Sequence, residues 1–301
     1  MKYFVISDLH GYYTLFKESL DKCGYSVDDP NHTLVVLGDI FDRGEECREI
    51  YNFLKDIPQE RVVLVRGNHD YLLFQLLRQD LPDDIGYSNG TVLTACQMAY
   101  KTKESWKTKY QALQDLDYTR YFLGSSTSNL RSKWKTVVKR VLASDMYKWF
   151  TSSQWVNYWE IDKFVGVHSF VPVLSKGCYI YKKILSSIYY GDTQYFSPST
   201  EWREASSSAW ELATWGCPYV FMDAGFFPEE GEKTLICGHY RADAFHTHYE
   251  PETSKGGDFS IYYSKKIIAI DGTVAYSKRA NVLVIDENGD CYDQDGKKLS
   301  D

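Results

Sequence analysis

The sequence predicts an α/β protein, and two observations predict it. Three times within the first 77 residues, a short run of apolar, mostly β-branched residues gives way to a polar loop and then to apolar residues at helical spacing. That alternation is the signature of parallel strands joined by helices. Later apolar runs alternate with turns instead, which predicts a second, mixed or antiparallel sheet.

The elements follow in order. Tyr3-Phe4-Val5-Ile6 reads as a buried strand and ends in Ser7-Asp8-Leu9-His10-Gly11. Leu15, Phe16, Ser19, Leu20 and Cys23 then recur at helical spacing, and Gly24 stops the helix. Leu34-Val35-Val36-Leu37 is a fully buried strand that Gly38 breaks, so Asp39, Asp42 and Arg43 fall in the loop past its carboxyl end. A helix with Cys47, Ile50, Tyr51 and Leu54 on one face leads to the strand Arg61–Val65, then Arg66-Gly67-Asn68-His69-Asp70, then a helix carrying Leu72, Leu73, Leu76 and Leu77. The threefold repeat is the pattern of a doubly wound unit. Parallel strands share a carboxyl end, so all three polar loops reach one sheet edge, where open α/β sheets place their chemistry.

Residues 86–160 read as a helical insertion or cap within a single domain spanning 1–301. Between Tyr100 and Lys148 stand 11 Lys/Arg and 4 Asp/Glu, a local charge of +7 against −14 for the remainder. This face is either solvated or turned toward an acidic substrate. Trp106, Tyr110, Trp134 and Tyr147 serve its own core or offer flat surfaces to a ligand. Strand character returns at Lys163–Val167, followed by His168. No elements are assigned over 175–232. Lys233–Tyr240 is a strand ending in Gly238-His239, and Lys266–Thr273 is another. His246 and His248 would converge on one ion if extended. A hairpin from Asn281 to Tyr292 turns at Asn288-Gly289.

Composition narrows the class. A chain of 301 residues with 44% apolar and 25% charged residues is ordinary for a globular protein. A net charge of −7 argues against whole-protein nucleic-acid binding. No apolar run approaches the roughly 20 residues of a membrane span. The N-terminus meets charge too early for a signal-peptide core. The seven cysteines are scattered and odd in number, without a C-x-x-C pair, so reduced thiols in a cytoplasmic protein are expected.

The loops carry the chemistry. In extended backbone, Asp8 and His10 point the same way and can converge on one ion. Asp39 could bridge two cations, Asp42 could orient a general acid, and Arg43 could clamp phosphate with its planar fork.

In order, D-x-H (Asp8, His10), G-D-x-x-D-R-G (Gly38 to Gly44), G-N-H-D (Gly67 to Asp70), His168 and Gly238-His239 make the chain resemble the calcineurin-like metallophosphoesterases. It is most similar to the branch of phosphoprotein phosphatases and bacterial symmetrical diadenosine tetraphosphatases, on Asp42-Arg43-Gly44 and Arg66-Gly67-Asn68-His69. Ile268-Ala269-Ile270-Asp271-Gly272 resembles that branch's closing strand. The resemblance implies a metallophosphoesterase-type β-sandwich flanked by helices (α/β/β/α), with a helical insertion. It implies two divalent metal ions, with Asp8 and His10 on the first, Asp39 between them, and Asn68, His168 and His239 on the second. Nitrogen and oxygen donors without thiolate suit Mn²⁺, with Fe or Zn²⁺ as alternatives. His69, backed by Asp42, would protonate the leaving oxygen, and Arg43 would hold the phosphate.

The implied activity is hydrolysis of phosphomonoesters, of the phosphoserine and phosphothreonine protein-phosphatase kind. The alternative is a dinucleoside polyphosphate such as diadenosine tetraphosphate, so the partner is a phosphorylated protein or a nucleotide. A catalytically inactive binding relative is the third reading, and the presence of His69, Asp42 and Asp39 speaks against it. Arg241 stands where relatives outside this branch carry the last histidine of G-H-x-H, and is a candidate phosphate clamp. Arg203 is the candidate second phosphate arginine, although its surroundings do not match the branch.

Overall fold

The computed structural model describes residues 1–124, 126–172, 202–223, 233–254 and 256–299. Most of the stretch 175–232, and Cys178 within it, lies outside these. Strand β1 (Lys2–Ile6) is followed by α1 (Tyr13–Lys22), β2 (His32–Leu37) by α2 (Cys47–Lys55), and β3 (Val62–Val65) by α3 (Asn68–Leu77). These strands pair in parallel, and with β4 (Trp155–Val156), β10 (Leu283–Ile285) and β11 (Cys291–Tyr292) they form a six-stranded sheet in the order β11-β10-β1-β2-β3-β4. The second sheet is mixed, in the order β5-β6-β7-β9-β8, with β5 at Tyr158–Ile161, β6 at Phe164–Val167, β7 at Thr234–Arg241, β8 at Tyr262–Tyr263 and β9 at Ile267–Asp271. β6, β7 and β9 run parallel, and β5 and β8 are its antiparallel edges.

The two sheets stack face to face. Alternate residues divide the strands: Val5, Val35, Leu37, Phe164, Ile236, Ile268 and Ile270 fill the space between the sheets. Phe4, Ile6, Leu34 and Val36 face α1, α2 and α3. Val165, Val167, Leu235, Cys237, Ile267 and Ala269 face Trp202, Trp210, Phe221 and Phe245 on the outside of the second sheet. Burial on both faces explains the uninterrupted apolar runs. The order is thus α/β/β/α.

Three expectations change. Helices α1, α2 and α3 all lie on one face, not on both as in a doubly wound unit, because β1, β2 and β3 step in one direction and each right-handed crossover returns on the same side. The closing hairpin joins the first sheet through β1, whose Tyr3 faces Ile285, and does not extend the second. His246 and His248 sit on a helix, Ala242–Tyr249, that crosses over between β7 and β9.

The described residues of 84–152 form five helices: α4 (Asp84–Ser88), α5 (Thr91–Ala99), α6 (Lys103–Leu123), α7 (Ser128–Ala143) and α8 (Asp145–Ser152). The last residues of the expected insertion are instead strands β4 and β5, one in each sheet. Trp106 and Trp134 are buried in the same apolar cluster as Phe16 and Leu54, so they serve as core. Lys103 and Lys107 both reach Glu45 at 2.9 Å, which ties part of the basic face to the acidic body. No helix among the described residues is long and apolar enough to cross a membrane.

Candidate metal centre

The carboxyl ends of β1, β2, β3, β6 and β7 meet at one edge of the sandwich. The backbone bends sharply there. Asp8, His10, Asp39, Asp42, Arg43 and His239 have positive φ, from 46° to 75°, and make up six of the nine such non-glycine residues described. This conformation costs on the order of 1–3 kcal/mol per residue and persists only where the surroundings impose it. Here the loops are laced together: Asp8 N–H donates to the Gly38 carbonyl (3.2 Å), His10 N–H to the Asp39 carbonyl (2.9 Å) and Gly44 N–H to the His10 carbonyl (2.8 Å). Glycine lets the backbones close in. A Cβ on Gly67 would lie 2.1 Å from Asp39 Oδ1, and one on Gly238 would lie 2.3 Å from Asp8 Oδ2.

Asp39 is the centre of the arrangement. Its Oδ2 lies 3.7 Å from His10 Nε2 and 3.9 Å from His69 Nε2, while Oδ1 lies 3.5 Å from His168 Nε2. Ligand atoms of His10, Asp39 and His69 form one compact cluster, and those of Asp39, His168 and His239 form another. Asp39 belongs to both. The Asp8 carboxylate adjoins the first cluster, 3.9 Å from His10 Nε2, and its other oxygen accepts the His239 N–H at 2.9 Å.

The imidazoles are oriented from behind. His10 Nδ1 donates to the Phe41 carbonyl (3.1 Å) and His168 Nδ1 to the Leu37 carbonyl (2.8 Å), which leaves each Nε2 lone pair facing the site. Asn68 Oδ1 then stands 2.8 Å from His168 Nε2. Two acceptors at that distance require a proton or a cation to reconcile them, so the donor set fits a metal ion.

Charge follows the geometry. Burial works to raise Asp39, but His168, His69, His10 and His239 outweigh it and hold the carboxyl well below its ordinary range. Burial and the nearby Arg43 push His10 far down, and burial and His168 bring His239 down to about 3. Neutral imidazoles around an ionised carboxylate are the forms that accept a cation. Burial raises Asp8, and Asp39 adds to the effect. His69 goes the other way. Burial opposes its protonation, yet the carboxylates of Asp39 and Asp42 raise it to about 9. Its Nδ1 donates to Asp42 Oδ2 at 2.8 Å, and Arg43, exposed at the mouth, places Nη2 3.4 Å from its Nε2.

Arg203 is elsewhere. It makes a two-pronged ion pair with Glu160 of β5 (3.0 and 2.7 Å), which Lys233 also joins. Glu160 lies opposite Val165, and Lys233 precedes β7, so this network stands at the other end of the strands from His168 and His239. Arg241 ends β7, is 56% exposed and pairs with Asp243 at 3.1 Å. His246 pairs with Glu250 (2.7 Å) and His248 with Asp223 (2.6 Å), because helical backbone turns neighbouring side chains apart.

Sequence reasoning placed Asp70 and Asp271 in motifs but gave them no role, and it missed a polar face of α5. Asp70 is buried and accepts from Gly67 N–H (2.7 Å) and Asp39 N–H (3.3 Å), tying the second loop to the third. Burial, then Asp39, raises it to about 7. An acid three residues after a helix N-cap was the available signal. Asp271, at the end of β9, is raised well above the ordinary range by burial and by Asp8.

The profile of the calcineurin-like phosphoesterases matches residues 1–239. The chain belongs to that family. Among curated relatives, a symmetrical bis(5'-nucleosyl)-tetraphosphatase from Haemophilus ducreyi is 40% identical over 78 residues, 26% of this chain and 27% of the relative. An asymmetrical bis(5'-nucleosyl)-tetraphosphatase, PrpE, from Bacillus velezensis is 39% identical over 85 residues, 26% of this chain and 34% of the relative. The chain thus spans about a third or less of the length of these relatives. Among solved structures, a cold-active protein tyrosine phosphatase aligns with a TM-score of 0.46 at 15% identity, covering 99% of this chain and 77% of that one.

Proposed function

We propose that this protein is a phosphoester hydrolase working with two divalent cations, and the shared carboxylate of Asp39 is the observation that carries the reading. Asp8 and His10 would hold one ion and Asn68, His168 and His239 the other, and Asp39 would serve both. When bound, such ions supply Lewis-acid charge at a phosphate. The chain's own groups do the rest. Arg43, exposed at the mouth, binds non-bridging oxygens through its planar fork. His69, which the Asp39 and Asp42 carboxylates raise to about 9 against burial, keeps Nδ1 on Asp42 and turns Nε2 to the site, where it would deliver a proton to the leaving oxygen. Nitrogen and oxygen donors without thiolate favour Mn²⁺, with Fe or Zn²⁺ as the other fits.

The substrate we favour is a phosphomonoester of the phosphoserine or phosphothreonine kind. A second reading, cleavage of a dinucleoside tetraphosphate, draws on the printed activities of the curated relatives. The described cysteines are free, in keeping with a cytoplasmic setting. The test is hydrolysis of a phosphopeptide, diadenosine tetraphosphate and a phosphodiester by chelator-stripped, Mn²⁺-reloaded protein, side by side. Activity that vanishes on chelation and returns with Mn²⁺ is expected, with the preferred substrate deciding between the two readings. Hydrolysis of none of the three under any of Mn²⁺, Fe²⁺ or Zn²⁺ would overturn the proposal.

A further inference from the structure

Helix α5 carries none of the candidate ligands, yet it reaches the loop that holds Asp42 and Arg43. Asp42 is almost wholly buried, and both of its oxygens are engaged. Oδ2 accepts from Thr91 Oγ1 (2.7 Å) as well as from His69 Nδ1, and Oδ1 accepts from Thr94 Oγ1 (2.8 Å). Thr94 Oγ1 also accepts the backbone N–H of Asp42 at 2.9 Å. Three residues further on, Gln97 donates Nε2 to the Gly44 carbonyl (2.9 Å) and accepts the Cys47 N–H (3.1 Å). Thr91, Thr94 and Gln97 thus form one stripe at a spacing of three, each no more than 1% exposed. The helix begins against the loop itself, since a Cβ on Gly90 would come within 2.3 Å of Arg43 N.

These threonines do not behave like others in the same segment. Thr108, Thr136 and Thr151 bond back to the carbonyl four residues earlier, the usual recourse of a helical hydroxyl. Thr91 and Thr94 direct their hydroxyl hydrogens at Asp42 instead. With Thr91 and Thr94 donating, the plane of the Asp42 carboxylate is set, and Oδ2 is aimed at the Nδ1–H of His69.

We infer that Thr91 and Thr94 are positioning residues for the proton donor: they hold Asp42 so that Asp42 holds His69 with Nε2 toward the leaving oxygen. This rests on the phosphoesterase reading above. Neither threonine is a catalytic residue: both hydroxyls bond to Asp42, that of Thr94 also lies 3.8 Å from Cys47 Sγ, and each acts on the reaction only through Asp42. The role has a particular fingerprint. p-Nitrophenolate leaves readily without a proton, whereas the leaving oxygen of phenyl phosphate needs one. A misplaced acid therefore penalises the second substrate and spares the first.

The experiment compares wild type, Thr94→Val, Thr91→Val and Thr94→Ser in Mn²⁺-loaded protein. Thr94→Val is expected to lower kcat for phenyl phosphate by about 10–100-fold, the usual cost of losing an outer hydrogen-bond partner. Its loss on p-nitrophenyl phosphate should stay within a few-fold, and Thr94→Ser should restore most of the difference. If Thr94→Val does not fold, Thr91→Val carries the same comparison. In metal-free ¹⁵N-histidine-labelled protein, where no paramagnetic ion broadens the signal, the Nδ1–H resonance of His69 should shift or broaden in the valine variants and return in the serine variant. Equal losses on both phosphates, or an unchanged His69 signal, would overturn the inference. Wild type that hydrolyses neither phosphate would bear on the proposed function only together with the three-substrate test above, and the His69 signal would still decide whether the threonines position that ring.

Discussion

Two pairs of imidazoles flank Asp39, and they are alike in shape but not in wiring. His10 and His69 stand 4.8 Å apart, ring centre to ring centre, on the Oδ2 side, and His168 and His239 stand 5.1 Å apart on the other. On the far side, His168 has a backbone carbonyl behind its ring, and burial keeps His239 uncharged. On the near side, His10 has the Phe41 carbonyl behind it and is pushed far down by burial and Arg43, while His69 has the Asp42 carboxylate behind it and is raised to about 9. Both near-side rings face the same Asp39 oxygen at nearly the same distance. On the roles proposed above, the partner behind the ring is one difference between the ligand and the acid: a carbonyl behind His10 and a carboxylate behind His69.

The largest break in this arrangement is Asp39→Asn, which removes the charge shared by both sides. Activity on p-nitrophenyl phosphate should fall further than the roughly 10²–10⁴-fold that loss of one general acid costs. Metal content after dialysis, measured by elemental analysis, should fall on both sides at once.

Exchanging the near-side histidines sharpens the comparison. His69→Asn should lower turnover by roughly 10²–10⁴-fold while the metal content is retained. His10→Asn should lose metal as well as rate. A His69→Asn protein depleted of metal would show that His69 is a ligand.

The smallest effects are expected far from Asp39, at the Glu160–Arg203–Lys233 network. The side chain of Arg203, with that of Lys233, holds Glu160 down at about 2, against an ordinary 4.5, although burial opposes it. A depressed carboxyl stabilises the fold above about 4.5, and the contribution is lost as pH falls from there toward about 2. Urea unfolding of Glu160→Gln should therefore show an unfolding free energy lowered near pH 7 by about 1 kcal/mol or less, with the difference from wild type vanishing at low pH. Arg203→Ala should leave KM for p-nitrophenyl phosphate unchanged. A several-fold rise in KM would return Arg203 to the phosphate site.

The near side of the site, and Asn68 of the far side, were legible in the sequence for a physical reason. Asp8 and His10, Asp39 with Asp42 and Arg43, and Asn68 with His69 each sit within a few residues of a strand end, so local pattern and a shared sheet edge bring them together. The rest of the far side was not legible in that way. His168 and His239 come from strands of the second sheet 71 positions apart, and only the family resemblance joined them to Asp39. The helix carrying His246 and His248 was missed because the apolar runs on either side read as strands joined by a turn. Arg203 was misplaced because its partner, Glu160, lies 43 residues away. The stripe of Thr91, Thr94 and Gln97 stood in plain view on an otherwise apolar helix, but its contacts span 49 to 53 residues, and no local rule points across such a gap.

The most direct test of the shared carboxylate is a calorimetric titration of Mn²⁺ into chelator-stripped protein, run on wild type and Asp39→Asn alongside His69→Asn. Two ions per chain are expected for wild type and for His69→Asn, with neither ion held tightly by Asp39→Asn. One ion per chain in wild type, or two undiminished in Asp39→Asn, would contradict the account.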